Sequence, residues 1–129
     1  MKLNHECIRD GLLVLEDKLG VTSSIDSKKL IESLDYDNDE AFYALQKLSE
    51  AGFIIGGPTV VYPIGSAQKI YKPITDITWK GHEYLDAIGD GKIWKKTKGI
   101  TASLKSVPLS IMKDVATKVL SEYIKTNLM

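Results

Sequence analysis

Two hydrophobic periods meet between Asp39 and Gly57. Ala41, Phe42, Leu45 and Leu48 recur at helical spacing and form one apolar face. Phe53-Ile54-Ile55 then reads as a short β-type run closed by Gly56-Gly57-Pro58. Asp37 and Glu40 stand three apart, close to a capping box at the helix start. Gly52 supplies the left-handed residue that ends many helices.

The same reading extends along the chain. Asn4 to Leu19 is a first helix, with Asn4 as N-cap and Ile8, Leu12, Leu15 and Leu19 on one stripe. Its polar positions, Glu6, Arg9, Asp10, Glu16, Asp17 and Lys18, are expected in water. Ile25, Asp26 and Leu30 look like a hydrophobic staple around an N-cap, opening a second helix over 27–34. Residues 53–77 read as a β-hairpin, two- or three-stranded, with a long tip and an irregularity at Pro73. Thr78 is placed to cap a fourth helix, with Ile77, Leu85 and Ile88 facing the core and Tyr84 at its border. Asp90-Gly91 breaks the chain. Ile93, Trp94, Ile100 and Leu104 share a face of the next helix. Residues 107–128 form a last amphipathic helix with two adjacent apolar columns, from Ile111/Met112 to Tyr123/Ile124.

A third helix that stops at a glycine and flows into an apolar strand is how a winged helix-turn-helix meets its wing. The expected fold is therefore α+β: three helices and a β-hairpin wing over 1–90, with a C-terminal helical extension over 91–129. At 129 residues the chain is long enough for a real core, because a domain of this size buries about two-thirds of its unfolded surface. One cysteine, Cys7, excludes an internal disulfide and suits a reducing compartment. The opening residues lack a signal peptide's apolar core, and no apolar run is long enough to span a bilayer. The expected location is cytoplasmic, with no membrane partner.

Four stretches carry a resemblance. The opening MKLNHECIRDGLL, the central LxxLSEAGFI, DITWKGHEYLD and IWKKTKGI together resemble the bacterial and prophage family called domain of unknown function 2513. More loosely, the chain is similar to the YjcQ-like winged-helix proteins. The resemblance implies a winged-helix fold and a prophage context. It implies no activity and no base-reading residues.

Charge shapes the functional expectations. Residues 1–56 carry six Lys/Arg and eleven Asp/Glu, a net of −5, and residues 57–129 carry eleven Lys and six Asp/Glu, a net of +5. The third helix of a winged helix fits the major groove. Its outward positions here are Asp39, Glu40, Tyr43, Gln46, Lys47 and Glu50. Gln46 suits adenine, and Lys47 suits guanine or phosphate. Lys69 and Lys72 come from the wing, and Lys95, Lys96 and Lys98 surround Trp94. These residues, with Tyr43, are the candidate contacts to double-stranded DNA. Against that, three carboxylates to one lysine on the third helix is poor chemistry for a phosphate surface. The alternative is a protein-interaction module whose acidic third helix meets a basic protein partner, with a homodimer through the C-terminal helix. The simpler reading of either charged helix is a solvated face.

Enzyme chemistry finds little support. His82-Glu83-x-x-Asp86 has an Asp where the zinc-protease motif needs its second His. His5-x-Cys7 offers two ligands, fewer than a zinc site requires. Gly56-Gly57-Pro58 and Gly89-Asp90-Gly91 are turn chemistry. The chain is expected to be non-enzymatic, with no cofactor and no metal.

Overall fold

A computed structural model describes residues 1–128. Among them the order is α1 (His5–Lys18), α2 (Ser27–Ser33), α3 (Asn38–Glu50), β1 (Ile54–Val61), β2 (Gln68–Ile77), α4 (Trp79–Ile88), α5 (Gly91–Thr101) and α6 (Leu109–Leu128). Six α-helices and one antiparallel hairpin make an α+β fold, compatible with a winged helix followed by extra C-terminal helices. The chain divides into two compact units, Met1–His82 and Glu83–Met129, and α4 runs across the division.

The first three helices start on acceptors. Asn4 Oδ1 takes the Cys7 N–H at 3.0 Å. Asp26 Oδ1 takes those of Lys28 and Lys29 at 2.9 and 3.1 Å. Asp37 takes that of Asp39 at 3.2 Å. Each such cap is worth about 1 kcal/mol against alanine, since it satisfies an N–H with no helical partner. Asn4 works twice: its amide also donates to the Glu40 carboxylate, tying the start of α1 to the first turn of α3.

The end of α3 is a Schellman motif. Gly52 has φ +79°, its N–H donates to Ser49 O at 3.1 Å, and the Phe53 N–H donates to Leu48 O at 2.9 Å. The chain leaves this turn as β1. Gly56-Gly57-Pro58 does not close the strand, contrary to the pattern reading. β1 continues through it to Val61, and the glycines mark a bulge. Ile55 pairs with Asp76 and Gly57 with Lys72, so Gly56 faces Pro73, Ile74 and Thr75. Proline has no N–H to offer a ladder, which is why the interruption sits there. Ile74 turns instead to Ile25: each N–H donates to the other's carbonyl at 2.8 Å. The hairpin itself has two strands, and the third pairing comes from the connector before α2.

In the first unit, α1 and α2 pack on α3, and α3 packs on β1. Ile8, Leu12, Leu15, Leu45, Leu48 and Ile74 are all but sealed from solvent. Full burial of each such side chain contributes about 1.5–3 kcal/mol. The polar side of α1 is not wholly in water. Glu6, Arg9 and Asp10 are half-buried, and the Tyr36 hydroxyl donates to Asp10 at 2.6 Å. Cys7 is buried, and that burial, with the charges of Glu40 and Asp10, pushes its thiol up to about 12.

In the second unit Tyr84 is fully buried rather than at a border, and burial raises its phenol. Asp90-Gly91 is not merely a break. The Asp90 carboxylate caps α5 by accepting from the Lys92 and Ile93 N–H groups at 2.8 and 3.1 Å. The buried face of α5 is Ile93, Trp94, Thr97 and Thr101, while Ile100 and Leu104 are more than half exposed. Threonine can face a core here because each hydroxyl donates to the carbonyl four residues back, Thr97 to Ile93 at 2.7 Å and Thr101 to Thr97 at 3.1 Å. α5 packs on α6, where Met112, Ala116 and Val119 are buried. The rest of the apolar surface of α6 is covered only in part among the described residues: Val115 and Leu120 are half-buried, while Ile111, Tyr123 and Ile124 are each over 40% exposed.

A Cβ at Gly56 would lie 2.0 Å from the Pro73 carbonyl oxygen, whereas one at Gly52 meets nothing within 4 Å. Gly52→Ala should cost about 1–2 kcal/mol, the left-handed penalty alone. Gly56→Ala should cost clearly more, because backbone must also move. Urea unfolding of both variants checks the bulge; equal losses would mean it is wrongly drawn.

The Cys7 thiol sets a pH dependence. Its proton is bound more tightly folded than unfolded, so its contribution is complete below its ordinary value of 9.0 and is lost as pH rises towards about 12. Thermal unfolding between pH 8 and 11 should show stability falling with pH, and Cys7→Ala should flatten that fall. An unchanged slope would remove Cys7 from the account.

Candidate functional site

The outer side of α3 and the hairpin beside it hold five of the eight residues singled out from the sequence. Helical spacing lines up Tyr43, Lys47 and Glu50 along α3. The Lys47 ammonium lies 5.1 Å from the centre of the Tyr43 ring and 2.8 Å from Glu50. From β2, the Lys69 ammonium reaches Asp39 at 2.7 Å and stands 5.1 Å from the centre of the Phe42 ring. These hydrogen bonds to carboxylates are the first reason both lysines hold their protons more tightly than usual.

The pairing changes the electrostatics expected of this face. Asp39 is matched by Lys69, and Glu50 by Lys47. Glu40 leaves the surface set, because it is half-buried and accepts from Asn4. The acidic helix of the sequence reading is therefore close to neutral on its outer side. Exposed pairs of this kind are weak and screened by salt, so they can exchange with an incoming charged group.

Lys69 and Lys72 do not act together. Side chains alternate along a strand, and residues three apart point to opposite faces. Lys72 borders a cleft of about 230 Å³ with Gln46, Ser49, Glu50 and the Gly56–Thr59 backbone. Lys69 borders another, of about 270 Å³, with Lys28, Ile31, Asn38, Phe42 and Tyr71. Gln46 and Lys72 are thus brought together, as are Lys69 and Asp39.

Lys95, Lys96 and Lys98 belong to the second unit. All three are exposed; Lys96 borders a cleft with Ile93 and Tyr123, and Lys98 stands 5.8 Å from the centre of the buried Trp94 ring. His82, Glu83 and Asp86 are exposed, and Glu83 lies 3.6 Å from Lys113. Among the described residues, no three His, Cys, Asp or Glu side chains gather as a metal site, and no helix is long and apolar enough to cross a membrane.

Sequence reasoning passed over Lys28, Tyr71 and Asn38. Tyr71 had a signal: it stands two residues from Lys69 in a strand and must share its face. Lys28 had none, because its partner Tyr71 lies on an element distant in sequence.

Fold and face together define an α+β protein with the element order of a winged helix and a pairwise-neutralised surface on its third helix. The chain belongs to the family described as "hypothetical protein (DUF2513)", whose model matches residues 2–108. It is also similar to an "uncharacterized protein" of Haemophilus influenzae, 29% identical over 124 residues that cover 95% of this chain and 98% of that one. No solved structure matches the chain.

The two ion pairs make a direct prediction. Asp39→Asn should lower the Lys69 pKa, and Glu50→Gln should lower that of Lys47, each followed by NMR of the lysine Cε resonances. Raising salt should act in the same direction on both. Unmoved titrations would mean the pairs do not persist in solution.

Proposed function

We propose that the protein is a non-enzymatic, cytoplasmic factor of prophage type that binds DNA or regulates through such binding, with α3 and the hairpin as its face. The observation that carries this reading is the cleft where Gln46 of α3 and Lys72 of β2 meet. It sets an adenine-reading side chain beside a phosphate-seeking one on a helix of groove-reading type. Tyr43 and Lys47 extend the same helix face, and Lys69 would exchange Asp39 for a phosphate. Lys95, Lys96 and Lys98 would serve as further phosphate contacts.

A near-neutral face has a consequence for this reading. Non-specific affinity comes almost wholly from cations on phosphates, so it should be low. Selectivity would rest on base contacts instead.

A second reading is favoured by the ion pairs themselves. Lys47 and Lys69 are already satisfied by Glu50 and Asp39, and a protein partner of basic character would take over those carboxylates without removing a phosphate's worth of charge. In this reading the exposed Ile111, Tyr123 and Ile124 of α6 join two copies in a homodimer.

Fluorescence anisotropy separates the two. A random-sequence duplex, and one enriched by rounds of selection on the protein, are titrated at about 50 and about 200 mM salt, where several phosphate contacts weaken binding by orders of magnitude. The DNA reading expects binding of the selected duplex that is salt-sensitive and is abolished by charge reversal at Lys47 and Lys69. Failure to enrich any duplex, or enrichment indifferent to both reversals, would overturn it.

A further inference from the structure

Beside Lys69, the cleft between α2, the start of α3 and β2 holds aromatic chemistry that the DNA reading does not use. Its floor is apolar and aromatic: Phe42 and Tyr71 meet edge to face, with ring centres 5.7 Å apart and planes at 89°, and Ile31 lies beside them. Two ammonium groups stand over that floor, Lys28 at 5.7 Å from the centre of the Tyr71 ring and Lys69 at 5.1 Å from that of Phe42. Asn38 adds an amide that can donate or accept.

From this arrangement we infer that the cleft is a binding site for a small planar aromatic anion, an aromatic carboxylate in the simplest case. The ring of such a ligand takes the surface offered by Phe42, Tyr71 and Ile31, where stacked or edge-on rings attract beyond their buried area. Its carboxylate lies between the two ammonium groups. Lys69 has three N–H donors and Asp39 occupies one, so the pair need not break. Among the described residues Lys28 has a ring against its ammonium but no carboxylate in ion-pair range, and the ligand would supply one. A volume of about 270 Å³ admits a single substituted ring. A bare phosphate would satisfy the lysines and leave the aromatic floor idle, so the observations favour the aromatic ligand.

Glu32 lines the same cleft and opposes any anion. This gives the inference a second sign to check. The inference shares Lys69 with the DNA reading but needs neither Gln46, Lys47 nor Lys72, and Lys28, Phe42 and Tyr71 belong to it alone.

The test uses the full chain, ¹⁵N-labelled, titrated with salicylate and followed by its amide spectrum. Saturable shifts are expected at Lys28, Ile31, Asn38, Phe42, Lys69 and Tyr71. The double variant Lys28→Gln/Lys69→Gln should bind at least tenfold more weakly, and Glu32→Gln should bind more tightly. Both change exposed side chains, and their spectra report whether the fold is kept. Neutral salicylamide should bind much more weakly than salicylate, and inorganic phosphate should leave these amides in place. Shifts that do not saturate or that map elsewhere would overturn the inference. So would equal binding of salicylamide, or the same shifts with phosphate at equal concentration.

Discussion

The end of α3 is the point on which the first unit depends. A helix leaves its last carbonyls without partners, and here they are taken up by the chain that follows. Gly52 and Phe53 turn back onto Ser49 and Leu48. From the start of α4, the Thr78 hydroxyl donates to Gly52 O at 2.5 Å and the Lys80 ammonium donates to Ala51 O at 3.1 Å. The Thr78 N–H donates to Phe53 O at 3.0 Å, and the Thr78 hydroxyl in turn accepts from the Gly81 N–H at 3.1 Å. A Cβ on Gly81 would sit 2.1 Å from Phe53 O, so only glycine lets the backbones come this close. One turn thus aligns α3 with both ends of the hairpin, and through them it positions the clefts that face outward.

Charge on the resulting surface is managed by pairing. The acidic half of the sequence and the lysines of β2 do not form opposed patches in the first unit; they meet as Asp39 with Lys69. Lys47 with Glu50 repeats the arrangement within α3. A face neutralised this way neither attracts phosphate strongly nor repels it, and any partner must compete with a carboxylate that is already in place. Strand alternation then divides the two wing lysines between different clefts. Lys72 goes to the cleft with Gln46, and Lys69 to the one with Phe42 and Tyr71, which have different chemistry.

Much of the fold was legible from local physics. Asn4, Asp26, Asp37 and Thr78 all cap the helices their positions predict, because an acceptor beside a first turn acts through bonds only two or three residues away. Gly52 ends α3 as its type suggests, and the α+β order follows from the pattern, while the family rests on the resemblance of the four motif stretches and the match over residues 2–108. The misreadings share a cause. Gly56-Gly57-Pro58 was read as a strand end, but the same residues in a paired strand make a bulge, and the choice belongs to β2. The pattern sets Ile100 and Leu104 on one face with Ile93 and Trp94, whereas Thr97 and Thr101 complete the buried face, because hydropathy does not register that a helical threonine can give its hydroxyl to its own backbone. The ion pairs on α3 were hidden because Asp39 and Lys69 lie thirty residues apart.

The sequence by itself determined where the first four helices start, where α3 stops and, through its four motif stretches, which family the chain resembles, because those properties are carried by neighbours along the chain. Tertiary structure alone decided which lysines remain available and which rings they stand over. It also decided which residues of α6 are covered and that Ile25 would complete the pairing of Ile74. Those outcomes depend on groups brought together from distant elements, and a contact between them has no energy until the chain has folded.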